Sequence, residues 1–447
     1  MAIIGAGSSG LAMAHRLKQA GFAFDCLERE NDLGGNWNYG QESSSVYYST
    51  HLISSKKQTE FLDYPMPEEW PEFPSHRLAL DYLRSYSRDF GLLEHIEYDA
   101  GVRSAQPIGQ ESEGWLLELE SGQRRRYQKL VIANGHNWDP AWPSWSRQGL
   151  FDGLELHSCQ YKTPDLLRGK RVLVVGGGNS GCDIAVESSQ HAAKTRLSLR
   201  RGYHLLPKFF HGTPIDVCGE RLLRWGFPIG LRRGIAHVVN YFLQGTRSSA
   251  GLPKPDHKLF ESHPVINSQL IYALRHGDLE VVPDVEQLTE QGARFTDGSE
   301  DHFDVIVYAT GFRLSFPFID KTNLNWLGDA ETGRPQLHLN VFHPDRDDLF
   351  VLGMIQPDSG QWGLVDRQAR LVTQYLLEAK QGSLAADRFR RQKKQPANPQ
   401  PINFVDSPRH RLEVEHFSYG RRLDREWKRL GGKKNRQTAK APTLTAG

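Results

Sequence analysis

Ile3-Ile-Gly-Ala-Gly-Ser-Ser-Gly10 and Val172-Leu-Val-Val-Gly-Gly-Gly-Asn-Ser-Gly181 are two copies of one pattern. Each is a short β-branched run, a glycine-rich turn, and the start of a segment with helical spacing. In that order, a Gly-x-Gly-x-x-Gly loop reads as a dinucleotide site. The glycines let the turn close and let backbone N–H groups approach a pyrophosphate, which the partial positive charge of the helix N-terminus stabilises. Gly5, Gly7, Ser8, Ser9 and Gly10 in the first copy are therefore candidate cofactor-binding residues. So are Gly176, Gly178, Asn179, Ser180 and Gly181 in the second.

The residue closing the next strand separates the two sites, because ribose hydroxyls are read there. Glu28, 18 residues after Gly10, closes the strand Phe22–Leu27. Its carboxylate accepts from a ribose diol and repels a 2′-phosphate. Arg200, 19 residues after Gly181, is followed by Arg201 and closes Thr195–Leu199. Guanidinium groups bind a 2′-phosphate in bidentate fashion, so the second site reads as one for NADPH. The first reads as one for FAD or NAD.

With 447 residues the chain has room for two or three domains. Lys and Arg total 55 against 53 Asp and Glu, a net charge of +2 that points to no nucleic-acid partner. No run approaches the roughly 18 apolar residues of a transmembrane segment. The first strand begins at Met1 with no charged leader, which makes the expected location cytoplasmic. Cys26, Cys159, Cys182 and Cys218 form no Cys-x-x-Cys pair, which argues against a redox disulfide and a metal site. Each is expected to be a small buried residue.

Residues 1–150 carry the first loop, a helical stretch at Leu78–Tyr86 and a strand at Lys129–Ala133; residues 151–299 carry the second loop. The strand within Phe303–Phe312 reads as a return to the first domain. The expected fold is α/β: two nested Rossmann-like dinucleotide-binding domains in a three-layer ββα/αβα architecture. The FAD-binding domain is discontinuous, 1–150 and 300–430, around an NADPH-binding domain, 151–299. Nesting lays one cofactor over the other, as hydride transfer requires. Residues 431–447 have the composition of a disordered basic tail.

Phe151, Gly153, His157 and Tyr161 complete the signature Phe-x-Gly-x-x-x-His-x-x-x-Tyr. With it the chain resembles the flavin-containing monooxygenases, class B flavoproteins, of bacterial type. The likeness runs from Ile3 to about Leu376. Gly34-Gly35-Asn36-Trp37 is similar to the family's flavin-contacting turn, and Arg200-Arg201 with Pro207-Lys208 to its NADPH clamp. Asp304 leading to Ala309-Thr310-Gly311-Phe312 is similar to its interdomain hinge.

The resemblance implies FAD and NADPH as cofactors. It implies hydride transfer to flavin, addition of O2 to give a C4a-hydroperoxyflavin, and passage of one oxygen atom to a small-molecule amine or sulfide. It also implies a homodimer, although no residue points to one. Such chemistry needs no nucleophile or general base, and Asp216 and Asp304 read as solvated or capping carboxylates. His157 and Tyr161, four apart, would share a face of a helical turn and hold a linker against both cofactors.

One departure concerns the oxygen chemistry. Anchored on Ser55-Lys56, the stretch from Thr50 to Lys57 puts Ile53 where the family carries an asparagine supporting the oxygenated flavin. Isoleucine cannot donate a hydrogen bond, which leaves His51, Ser54 or Ser55 to substitute. Ala133-Asn-Gly-His136 differs from the family's Ala-Thr-Gly-His without expected consequence. The competing readings are a Baeyer–Villiger monooxygenase acting on ketones and an uncoupled NADPH oxidase producing H2O2. A third is a cofactor-loaded sensor without turnover. Against the Baeyer–Villiger reading, Tyr161-Lys162 stands where that group has Trp, and its extension after Trp37 is missing.

The segment Arg221–Leu243 is both basic and apolar. It reads as a helical insertion packed on the second domain, in preference to a membrane-surface helix or a cover over the substrate entrance. Gly226, Pro228 and Gly230 should interrupt it.

Overall fold

A computed structural model describes residues 1–109, 113–146, 149–245, 250–329, 332–395, 402, 404–405 and 410–433. Of the expected tail, 434–447 lies outside the described residues. The first glycine loop joins β1 (Ala2–Ile4) to α1 (Ser8–Gln19), followed by β2 (Asp25–Leu27), α2 (His76–Asp89) and β3 (Ile96–Glu97). An antiparallel meander, β4 (Val102–Pro107), β5 (Trp115–Leu119) and β6 (Arg124–Tyr127), leads into β7 (Leu130–Ile132). The chain leaves through β8 (Asp139–Pro140), and β9 (Leu154–His157) opens a second unit.

There the second glycine loop joins β10 (Arg171–Val175) to α3 (Asn179–His191), followed by β11 (Lys194–Ser198). Helices α4 (Ile215–Arg224) and α5 (Ile229–Gln244) come next, then α6 (Leu270–His276) and β12 (Glu280–Val282). A second meander, β13 (Val285–Thr289), β14 (Gly292–Phe295) and β15 (Glu300–His302), leads into β16 (Val305–Tyr308). β17 (Phe312–Arg313) returns the chain to β18 (Leu349–Val351), α7 (Trp362–Lys380) and α8 (His416–Arg429).

The two units repeat one another. The first sheet is ordered β18-β7-β1-β2-β3 and the second β9-β16-β10-β11-β12, and every neighbouring pair in both is parallel. Each sheet has helices on one face and its meander on the other. In the first, Ile3, Val131 and Phe350 face α1 and α7, while Ile4, Ile132 and Val351 face Trp115 and Leu117 of the meander. In the second, Val172, Val174 and Val307 face α3, while Leu173, Ile306 and Tyr308 face Phe295. Burial on both faces explains why these strands are continuously apolar rather than alternating.

The repeat corrects one expectation. The strand after Phe303 does not return to the first sheet; β16 pairs with β10 and β9 in the second, as β7 pairs with β1 in the first. The return comes only at β17, which pairs antiparallel with the outgoing β8: Phe312 opposite Pro140, Arg313 opposite Asp139. The first crossing, at β8, likewise precedes the expected boundary at 150. The two crossings form one two-stranded ribbon, fastened by Arg313 Nη2 to Asp139 Oδ1 at 3.0 Å.

α1 is held against α7 by a buried bidentate pair, Arg16 Nε to Asp366 Oδ1 at 2.6 Å and Nη2 to Oδ2 at 2.8 Å. Asp366 also accepts the Leu62 N–H at 3.0 Å. Burial alone would raise the Asp366 carboxyl, but Arg16 beside it holds it below its ordinary value.

Candidate functional site

Both glycine loops sit at the carboxyl ends of their sheets, built alike. Gly5 and Gly176 have φ of +100° and +113°, and a side chain on either would meet the carbonyl of Ala133 at 2.7 Å or of Ala309 at 2.5 Å. A Cβ on Gly10 would overlap the Gly5 carbonyl oxygen, and one on Gly181 that of Gly176. Gly7 and Gly178 cap α1 and α3 without any side chain, and neither first turn holds an acidic residue. Each helix therefore presents unoccupied N–H groups and partial positive charge, the arrangement that takes phosphate.

Around the first loop, the Gly34 N–H donates to the Ala6 carbonyl at 3.0 Å, and Gly35 packs against Gly7. Gly35–Trp37 forms a 3-10 turn. Asn36 Oδ1 accepts from the Ser45 N–H at 2.8 Å, and Trp37 stands edge-on to Trp362 at 5.7 Å. Glu28 is buried at the end of β2 and accepts from the N–H groups of Ala6 (2.6 Å) and Glu30 (3.0 Å). Burial raises its carboxyl above the ordinary value. Around the second loop, Arg200 is exposed and the Arg201 guanidinium lies 5.6 Å above the Tyr203 ring. Thr310 Oγ1 donates to the Ala141 carbonyl at 2.6 Å, and the Ala141 N–H to the Gly311 carbonyl at 3.0 Å, so both sit on the ribbon beside the loop.

The signature residues secure the second unit. A Cβ on Gly153 would strike the Phe151 ring and the Asp304 carbonyl. His157 ends β9 fully buried, its ring 5.5 Å from Trp142 and 5.2 Å from Phe312, and burial lowers its pKa to about 4. Tyr161 is also fully buried and donates to Glu187 at 2.5 Å. A turn joins them, the Tyr161 N–H reaching the His157 carbonyl at 3.2 Å, but the two rings pack in different places rather than sharing a face. Neither lines the cavity described below, so both act here as positioning residues, not catalytic ones.

Asp304 belongs to the second sheet, where Arg171 holds its carboxyl down at about 2. Cys26 and Cys182 are buried, whereas Cys159 and Cys218 are half-buried. Among the described residues, no group of three or more His, Cys, Asp or Glu is placed to hold a metal, and no helix is long and apolar enough to cross a membrane.

The units also meet where spacing offered no signal. Lys162 donates to the carbonyls of Ser44 (2.7 Å) and Val46 (3.2 Å). Asp183 of α3 accepts from Asn267 Nδ2 at 2.6 Å and from the Tyr47 hydroxyl at 3.4 Å. Burial pushes the Asp183 carboxyl from 3.8 up to about 6. The folded state thus keeps a proton that the unfolded chain has released, and stability falls as pH rises between those values. Asp183→Asn is expected to remove that decline, so the parent's melting temperature should drop relative to the variant's as pH rises from about 4 to about 6.

A cavity of about 320 Å³ lies between the units. Its walls come from α4 and α5, from Ile53 and Ser54, and from the starts of α7's approach and α8 at Asp358, Ser359 and His416. The Arg221–Leu243 segment is thus the helical insertion expected, split between Arg224 and Ile229, and it also encloses the cavity. Trp225 (71% exposed) and Phe242 (79%) lie on its outer side.

Asp216 is neither solvated nor a simple cap. It accepts from the Ser55 N–H (2.7 Å), the Ser55 hydroxyl (3.0 Å) and the Ser359 hydroxyl (3.2 Å), tying α4 to the first unit. The hydroxyls beside Ile53 are consequently committed. Thr59 gives its proton to the Ser55 carbonyl at 2.9 Å, so Ser54, 2.8 Å from Thr59 Oγ1, must donate there. His51 is exposed and bonds the Ser49 carbonyl at 2.8 Å. None of the three stands in for the missing amide.

Helix ends free of side-chain caps, loops a Cβ would fill, and a charge reader at each following strand fit two dinucleotides. Residues 1–419 match the family described as flavin-binding monooxygenase-like. The chain is 34% identical to Flavin-containing monooxygenase 5 of Oryctolagus cuniculus over 396 residues, covering 83% of this chain and 72% of that one. It is 33% identical to Flavin-containing monooxygenase 2 of Homo sapiens, with the same coverage. Among solved structures it resembles S-allyl-L-cysteine S-oxygenase from Allium sativum, with a TM-score of 0.65 at 20% identity over 97% of this chain and 88% of that one. The chain belongs to the flavin-binding monooxygenase-like family, an oxidoreductase that uses FAD and NADPH.

Proposed function

We propose that the enzyme inserts one oxygen atom of O2 into a soft nitrogen or sulfur nucleophile, with FAD in the first unit and NADPH in the second. When bound, the flavin supplies oxygen activation with electrons taken from NADPH. In this reading Gly5, Gly7, Ser8, Ser9 and Gly10 hold the FAD pyrophosphate, Glu28 its ribose, and Gly35, Asn36 and Trp37 flank the flavin. Gly176, Gly178, Asn179, Ser180 and Gly181 hold the NADPH pyrophosphate, with Arg200 and Arg201 on its 2′-phosphate. Thr310 and Gly311 keep the crossing ribbon beside that loop.

The observation that carries the reading is the largely apolar cavity between two phosphate-ready loops, with Ile53 and Ser54 in its wall. Apolar walls exclude water from the reacting centre, which favours oxygen transfer over loss as peroxide. A second reading, leakage of reducing equivalents to H2O2, is favoured by the hydroxyl count around Ile53. Measuring oxygenated product, NADPH consumed and H2O2 released with a thioether and a tertiary amine tests both. Product matching NADPH supports the monooxygenase; peroxide matching NADPH with every substrate supports the oxidase. Ile53→Asn restores a donor at the cavity wall and is expected to cut the peroxide fraction by about tenfold, the worth of one hydrogen bond.

A further inference from the structure

The cavity contains charges that the chain does not match to one another. We propose that it binds a zwitterion of the α-amino-acid kind, with the carboxylate on Arg232 and the ammonium on Asp358. The ligand's apolar side chain, carrying the soft atom, then runs toward Ile53. This rests on the monooxygenase reading and names a substrate class for its cavity.

Arg232 is only 7% exposed, and its guanidinium stacks 5.3 Å above the Phe260 ring. Among the described residues it makes no ion pair, a costly state for a buried cation. Glu415 and Asp358 are near enough to raise its basicity, while burial lowers it. Glu415 is occupied, capping α8 by accepting from the N–H groups of Phe417 and Ser418 at 3.0 Å each. Asp358 accepts the His416 N–H at 2.8 Å and likewise has no ion pair among the described residues. Burial, then Glu415, pushes its carboxyl up to about 7, so an added cation is what this group lacks.

Charge arithmetic selects the zwitterion. An anion alone would meet Arg232 but also Asp358 and Glu415; a cation alone would leave Arg232 unpaired. A ligand carrying both signs answers both groups. Arg232, Ile235, Ala236, Val239 and Asn240 all line the cavity and repeat at helical spacing, one face of α5 with polar ends and an apolar middle. Asn240 Oδ1 is buried without a hydrogen-bond partner among the described residues, a further acceptor for the ammonium.

The test uses the full-length, FAD-loaded protein and titration calorimetry, which needs no turnover. The probes are norleucine, which has no atom to oxygenate, hexanoate, which lacks its ammonium, and n-pentylamine, which lacks its carboxylate. Norleucine is expected to bind about tenfold tighter than either. Arg232→Gln should weaken norleucine and hexanoate about tenfold more than n-pentylamine, with Arg232→Lys recovering part of the loss. Asp358→Asn should show the converse, weakening norleucine and n-pentylamine most. Equal binding of the three probes, binding of none, or equal weakening of all three by both variants overturns the proposal. Failure of the monooxygenase reading would show separately, as no oxygenated product from any amine or sulfide.

Discussion

Gly181→Ala is expected to reduce NADPH-dependent reduction of the enzyme by more than about 100-fold while the flavin stays bound. The new methyl would overlap the Gly176 carbonyl oxygen and lie 3.2 Å from Ala309 Cβ. Both obstacles belong to backbone or to a side chain without freedom, so α3 must move away from β10 and the loop opens. Overpacking of this sort costs about 1–3 kcal/mol or more, against only 1.4 kcal/mol for a factor of ten. The first sheet has its own two apolar layers, which is why flavin retention should survive. Stopped-flow reduction and the flavin spectrum read the two effects independently. Gly234→Ala is the contrasting case: it lies inside α5 with nothing within 4 Å of an added Cβ. There the same change should stabilise by about 0.5–1 kcal/mol, because alanine gives up less entropy in a helix.

The second large effect concerns Asp366. Asp366→Ala leaves the Arg16 guanidinium, 5% exposed, without its bidentate partner and strands the Leu62 N–H. Breaking a buried pair from one side costs about 3–5 kcal/mol. Asp63, 2.8 Å from Arg16 Nη1 but mostly exposed, recovers part of this, so the expected loss is about 3 kcal/mol. The check is the thermal transition followed by release of flavin fluorescence. Adding Arg16→Met to Asp366→Ala should restore part of the stability, since the unpaired charge is then gone.

How far such residues could be read in advance depends on whether their signal is local. The two loops, the charge readers and the break at Gly226 to Gly230 each lie within a short window, and the structure places the strands and helices there as spacing suggested. β16 was misassigned because its surroundings mimic β7: a β-branched run, then Ala133-Asn-Gly in one unit and Ala309-Thr-Gly in the other. Only strand pairing distinguishes a return to the first sheet from a repeat of it. His157 and Tyr161 were legible as a motif but not as a role, since burial follows from Trp142, Phe312 and Tyr47, which the motif does not mention. Arg232, Asp358 and His416 reach one cavity from three distant segments, and no sequence periodicity links them.

The ribbon of β8 and β17 sets the terms on which one unit resides within the other. Ala141 and Gly311 exchange a hydrogen bond, so the inserted unit begins and ends at a single point, as a hairpin loop does. To the host sheet, an entire folded domain costs no more closure entropy than a short turn, since its own folding already holds the ends together. The host therefore does not register the size of its guest, and helices such as α4 and α5 can be added to the guest without stretching any strand of the sheet that receives it.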